Sequence, residues 1–181
     1  MDEMIENIVL GLLSEEKQKF VDAKKLVSSI ISQHYKESFP RNGEATKKVC
    51  LLRDKFITLC ESNNPAERLA GLKGLSWINI SEPFDEKIGV LIDLLFKLII
   101  DDTGKIRQAT ANAFGSVRSG LYKERTVTDY IYAQLYLNLI KLMDAQTDVK
   151  KKKSIENLLG KLWCPHLETI LIRQGYSEVK D

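Results

Sequence analysis

Residues 88–117, IGVLIDLLFKLIIDDTGKIRQATANAFGSV, restrict the possible folds more than any other stretch of the chain. Ile88, Leu91, Ile92, Leu95 and Ile99 recur at i, i+3, i+4, i+7 and i+11, which places them on one helix face, and Leu94 and Leu98 add a second apolar line. After an acidic, glycine-containing break, Ile106, Ala109, Thr110, Ala113 and Val117 repeat the spacing, while Ala111 and Gly115 keep much of the surface small. A helix with such a surface lets its neighbours come close. Neither helix can cover its own apolar side, so the two read as one unit of a stack.

The rest of the chain agrees with a helical reading. Four prolines, ten glycines and a near absence of alternating β-branched and polar residues point to an all-α protein. With 181 residues, 44% of them hydrophobic, one domain can bury about 70% of its unfolded surface. The 27 basic and 25 acidic residues nearly cancel, so any binding to nucleic acid or an anionic membrane has to be local. Cys50, Cys60 and Cys164 are odd in number and widely spaced, which suits reduced thiols better than a disulfide framework. The first residues, MDEMIENIVLGLL, open acidic and hold too short an apolar run for a signal peptide or membrane span. The expectation is a cytoplasmic protein that does not enter a membrane.

In chain order, Met4, Ile5, Ile8, Val9 and Leu12 form a first stripe, and Ser14 followed by Glu15 and Glu16 reads as a helix cap with acids in the first turn. Phe20, Ala23, Val27, Ile30 and Ile31 give a second helix ending near His34. Pro40 and Gly43 mark residues 39–48 as a loop and internal hinge. A third helix over 47–60 carries Val49, Leu52, Phe56 and Leu59 on one side, with Cys50 and Ile57 beside them. Asn64 then caps a helix with Pro65 in its first position and Glu67 at capping-box spacing. Thr126 or Thr128 caps a later helix whose inner face is Ile131, Leu135, Leu139 and Leu142, with Tyr132, Tyr136, Ile140 and Met143 alongside. Thr147 and Asp148 cap the next, which carries Ile155, Leu158, Leu159 and Leu162 until Cys164 and Pro165 stop it; residues 166–172 form a short terminal cover.

The chain also repeats. A shift of 39 residues superimposes Arg68 on Arg107, Ala70 on Ala109, Gly74 on Ala113, Leu75 on Phe114 and Ile78 on Val117. A shift of 45 places Lys152 on Arg107, Leu159 on Phe114, Gly160 on Gly115 and Leu162 on Val117. These shifts define repeats over 47–80, 84–120 and 127–162, with an N-terminal pair or cap over 1–38 and a C-terminal cover and tail over 163–181. Asp101, Ile106, Arg107, Ala109, Ala113, Phe114 and Gly115 carry a pattern that resembles the HEAT repeat, the two-helix unit of armadillo-type α-solenoids. The resemblance implies a single domain over 1–181 wound as a right-handed α-α superhelix of about three to four hairpins. It also implies a structural ladder between adjacent units built on Asp101 and Arg107. Glu67, where the family has an apolar residue, and Lys152, where it has Arg, depart from the pattern.

Chemistry is sparse. His34 and His166 are the two histidines, and the pair Cys164 and His166 falls short of a metal site, so neither a metal nor a catalytic set is expected. No phosphate-binding glycine motif occurs, and no cofactor is expected. Two features suit binding: the basic cluster over 150–153, with Lys161 beyond it, and the tyrosines Tyr130, Tyr132 and Tyr136, which alternatively pack inside. Solenoids bind partners along the wall made by their second helices. The leading expectation is a non-catalytic scaffold or adaptor for a protein partner, with Arg68, Lys73, Arg107, Asn112, Lys150, Lys152 and Lys153 as contact candidates. The rival is enzymatic: some HEAT-like proteins are DNA glycosylases for alkylated bases, and the same resemblance would make this chain a DNA-binding or glycosylase-type repair protein with Trp77 and Trp163 as the aromatics.

Overall fold

The computed structural model describes residues 3–37, 43–78, 88–121 and 127–176, less the side chains of 88, 116–121 and 127–130. Among these residues the chain forms nine α-helices and no strand, so the all-α class holds. It divides into two compact units, Met1–Asn79 and Ile80–Asp181, with the boundary falling between the repeats expected over 47–80 and 84–120.

The first unit contains α1 (Glu3–Leu13), α2 (Lys17–Lys36), α3 (Glu44–Cys60) and α4 (Pro65–Trp77). Ile5, Ile8, Val9 and Leu12 bury the inner face of α1, and Ala23, Val27, Ile30 and His34 that of α2. Contacts run α1 to α2, α2 to α3, α3 to α4 and α4 back to α1, so the four helices close a ring around one core. Phe56 and Leu52 of α3 and Leu72 and Leu75 of α4 fill its centre, each worth roughly 1.5–3 kcal/mol on burial. The crossing of α3 and α4 is very tight. A Cβ on Gly71 would stand 2.6 Å from the Phe56 carbonyl oxygen and 2.7 Å from Cys60 Sγ, and one on Gly74 would stand 2.7 Å from the Phe56 ring. Burial pushes the Cys60 thiol up to about 12, which keeps it a neutral packing group.

Two boundaries in this unit differ from the sequence expectation. Ser14 is not the cap of α2: its hydroxyl accepts from the Glu16 N–H in a turn, and Glu16 itself occupies the N-cap position. α3 starts at Glu44, three residues before the expected 47, because Glu37 at the end of α2 reaches over to it. The Glu37 carboxylate accepts from the N–H groups of Gly43 at 3.1 Å and Ala45 at 2.8 Å and from the Thr46 hydroxyl at 2.5 Å. These bonds, the Thr46 hydroxyl foremost, hold its carboxyl pKa below the usual carboxylate range and satisfy helix donors that would otherwise be orphaned. Pro40 lies outside the described residues.

The second unit contains α5 (Ile88–Leu98), α6 (Gly104–Leu121), α7 (Val127–Asp144), α8 (Val149–Leu162) and α9 (Pro165–Arg173). α5 packs on α6, α6 on α7 and α8, and α7 on α8 and α9. Leu91, Leu94, Leu95, Leu98 and Ile99 face Ile106, Ala109, Ala113 and Phe114 as buried residues, and Thr110 is accommodated inside by donating its hydroxyl to the Ile106 carbonyl at 2.8 Å. Ile88 and Val117 fall outside the described side chains. In α7 the inward stripe is Tyr132, Leu135, Tyr136 and Leu139, rotated toward the tyrosines relative to the expected face; Ile131 and Leu142 are only half-buried. Thr128 lies inside α7 and so does not cap it, and Thr126 is outside the described residues. Cys164 and Pro165 do end α8, but they also start α9: Cys164 Sγ accepts from the Leu167 N–H at 3.4 Å and Pro165 takes the first helical position.

Candidate functional site

The helices expected to be the second of each repeat begin alike. Asn64, Thr103 and Asp148 stand at the head of α4, α6 and α8, and their carbonyls accept from the N–H groups of Arg68, Arg107 and Lys152 four residues on, at 3.1, 3.1 and 2.9 Å. Asn64 Oδ1 also accepts from the Ala66 N–H at 2.9 Å, whereas the Asn64 N–H donates to Ser62 Oγ, so the reciprocal half of the capping box to Glu67 is not made. The Thr103 N–H donates to Asp101 Oδ1 in the matching turn. Arg68 Nη1 donates to the carbonyls of Ser62 at 3.0 Å and Asn63 at 2.9 Å. Arg107 Nη1 does the same with Asp101 at 2.7 Å and Asp102 at 3.0 Å. The two arginines aligned by the 39-residue shift therefore clamp the same two turn carbonyls.

Arg107 also reaches a second helix. Its Nε donates to Ser154 Oγ of α8 at 2.9 Å, and that hydroxyl donates in turn to the Lys150 carbonyl at 2.9 Å. Beside it, Lys151 Nζ pairs with Asp102 Oδ1 at 2.7 Å, and this bond holds the Asp102 carboxyl below its usual range. Asp148 accepts from the N–H groups of Lys150 at 2.8 Å and Lys151 at 3.0 Å, and the Lys151 bond depresses it likewise. The Arg107–Ser154 and Asp102–Lys151 ties join the start of α6 to the first turns of α8.

The contact candidates separate accordingly. Asn112, Lys150, Lys152 and Lys153 are exposed, with Lys153 paired to Glu156 at 2.9 Å. Arg107 is only 8% exposed and engaged inward, which takes it off the surface as a contact and makes it a tie between helices. With Asp101 it bonds through the Asp101 carbonyl, and the charged link between α6 and α8 falls to Asp102 and Lys151. Arg68 is half-buried on its clamp, and half-buried Lys73 holds its ammonium 5.1 Å from the Phe20 ring centre. Tyr132 and Tyr136, at 3% and 7% exposure, are core groups rather than anchors for a partner. The Tyr132 hydroxyl donates to the Leu162 carbonyl, and Tyr136 packs 5.6 Å from Trp163. Tyr130 lies outside the described side chains. Trp77 stands edge-on to Phe20 at 5.3 Å.

Lys105, Gln108 and Asn157 are surface residues that the sequence reading did not single out. Among the described residues, the exposed positions of α6 include Lys105, Gln108, Asn112 and Gly115, and those of α8 include Lys150, Lys153, Asn157 and Gly160. Each pair differs by 45, so the shift that aligned the core positions would have aligned these as well. Ser154, by contrast, gives no signal until α6 and α8 are brought together. Among the described residues no group of three or more His, Cys, Asp or Glu side chains converges on a metal position, and no helix is long and apolar enough to cross a membrane. No protein-family model, no curated protein and no solved structure matches this chain.

Proposed function

We propose that the protein is a non-catalytic scaffold of the HEAT-like kind, and that the α6–α8 ridge receives an acidic segment of a protein partner. The observation that carries this reading is the pair of matched outer stripes, Lys105, Gln108 and Asn112 beside Lys150, Lys153 and Asn157, held in register by Arg107 and Ser154. The lysine side chains favour a negatively charged ligand. The exposed Gly115 and Gly160 have no heavy atom within 4 Å of an added Cβ, so a partner can lie close to both helices there. The packing of α6 on α8 and of α7 on α9, like helix on like helix, supports a short superhelical stack in this unit.

The test is affinity purification from native cells with mass spectrometry, comparing the wild type with the triple variant Lys150→Gln, Lys152→Gln, Lys153→Gln. Loss of a reproducible partner, with the helical circular dichroism unchanged, is expected. An unchanged partner list removes the ridge from the site. Salt-dependent binding of duplex DNA that the triple variant loses would move the assignment to nucleic acid.

A further inference from the structure

The first unit carries a surface that the ridge does not use. Between α1 and α2 runs an open groove of about 660 Å³ whose walls include Leu10, Leu13 and Leu26. These leucines are 64%, 39% and 36% exposed. The groove floor is set by Gly11, where an added Cβ would meet Ala23 Cβ at 2.7 Å. α1 is therefore apolar on its inner side, through Ile5, Ile8 and Leu12, and again on the outer side that borders the groove. A helix apolar on both sides calls for a second neighbour.

The charge at the groove mouth specifies that neighbour. Within the lining, Lys19 is already paired with Glu16 at 2.6 Å, and Asp22 accepts from Gln18 at 2.9 Å and lies 3.7 Å from Lys25. Glu3, Glu6 and Glu15 are exposed and form no ion pair among the described residues, and α1 contains no Lys or Arg. Lys24 lies on the other flank of α2, 6.0 Å from the Trp77 ring centre, with Lys17 two helical turns before it on that flank. Glu3 and Glu6 stand one helical turn before Asn7 and Leu10 on the groove side of α1, and Glu15 follows Ser14, so the unpaired charge beside the groove is negative. The lining runs from Asn7 to Leu13 in α1 and from Lys19 to Leu26 in α2, about 10 Å along each helix, so the groove spans roughly two turns of a partner helix.

We infer that the α1–α2 groove docks an amphipathic helix of a partner protein, whose leucine-like stripe of about two turns is flanked by lysine or arginine. The stripe fills the space between Leu10, Leu13 and Leu26, and the basic flank meets Glu3, Glu6 and Glu15.

The test is fluorescence anisotropy of the full chain with three labelled, acetylated 14-residue helices: a leucine stripe flanked by lysines, the same stripe flanked by glutamates, and the lysine peptide with its leucines replaced by serine. The Leu/Lys helix is expected to bind, and the other two roughly tenfold or more weaker. Leu10→Ser and Leu26→Ser should each weaken the Leu/Lys helix by a similar factor, because both are exposed and neither supports the core. Equal binding of the serine-striped or glutamate peptide, or binding unchanged in both leucine variants, overturns the proposal. Sedimentation of the protein alone gives the remaining alternative: a dimer that Leu10→Ser dissolves would make a second copy the occupant and refute the partner helix. The ridge variant Lys150→Gln, Lys152→Gln, Lys153→Gln should bind the Leu/Lys helix as the wild type does, so failure of the ridge reading leaves this result standing.

Discussion

Replacing Gly71 by alanine tests the closeness of α3 and α4 against a control inside the same molecule. In an open helical position the change stabilises by about 0.8–1 kcal/mol, because alanine loses less backbone freedom on folding. Gly160 is such a position, exposed in α8 with nothing within 4 Å of the added carbon. At Gly71 the same carbon would lie 2.6 Å from the Phe56 carbonyl oxygen and 2.9 Å from the Cys60 N, and neither backbone atom can swing aside as a side-chain tip would. α3 has to retreat by about 1 Å, which loosens the buried Leu52, Phe56 and Leu59 together. Overpacking against backbone that cannot yield falls in the upper part of the usual range, about 2–3 kcal/mol before the propensity gain is subtracted. The expected outcome is a net loss of roughly 1–2 kcal/mol for Gly71→Ala and a gain of just under 1 kcal/mol for Gly160→Ala. Each unit contains one of the two tryptophans, Trp77 in the first and Trp163 in the second, so fluorescence-monitored urea unfolding in Trp163→Phe and Trp77→Phe backgrounds reads them separately. For a unit of this size 1 kcal/mol corresponds to about 4–8 °C in melting temperature. If Gly71→Ala were as stable as the wild type or more so, the tight crossing of α3 and α4 would be wrong.

The second unit makes two further predictions. Arg107→Ala should destabilise it by roughly 2–3 kcal/mol and Ser154→Ala by about 1 kcal/mol, with the double variant losing less than the sum because the two side chains share a bond; a double-mutant cycle in urea measures this. Asp102 and Asp148 have folded pKa values below the ordinary 3.8, so their contribution is fully present above that value and is lost as pH falls through the depressed values, where the unfolded chain binds more protons. Asp102→Asn should therefore lower unit-two stability at pH 7 and flatten its acid limb, so that variant and wild type converge as pH falls below about 4, read by Trp163 fluorescence.

How much could be foreseen depended on how local each determinant is. The start of α4 was legible in Asn64 and Pro65 because a cap acts over two or three residues. The start of α3 was not, since its donors are satisfied by Glu37, which lies before the intervening loop. In α7 the period identified two adjacent apolar stripes, but which one turns inward is decided by α8 and α9, and the Leu162 carbonyl draws Tyr132 inside. Arg107 was found by its spacing, whereas its burial requires Ser154 to be known as its neighbour. The ring of helices in the first unit has no counterpart in any linear pattern, because it arises from α1 meeting α4 across more than fifty residues of chain.

The turn clamp shows how one position can change its role within a repeating chain. A guanidinium grips two carbonyls at once in Arg68 and Arg107, and this fixes both side chains against the protein. In α8 a lysine stands at that place, and the Asp148 carboxylate secures the helix start by taking two backbone N–H groups instead. Once the acid has that task, the cation is released to solvent as Lys152. An internal brace and an outward charge are thus interchangeable fates of the same site, decided by whether a base or an acid fastens the bend ahead of it.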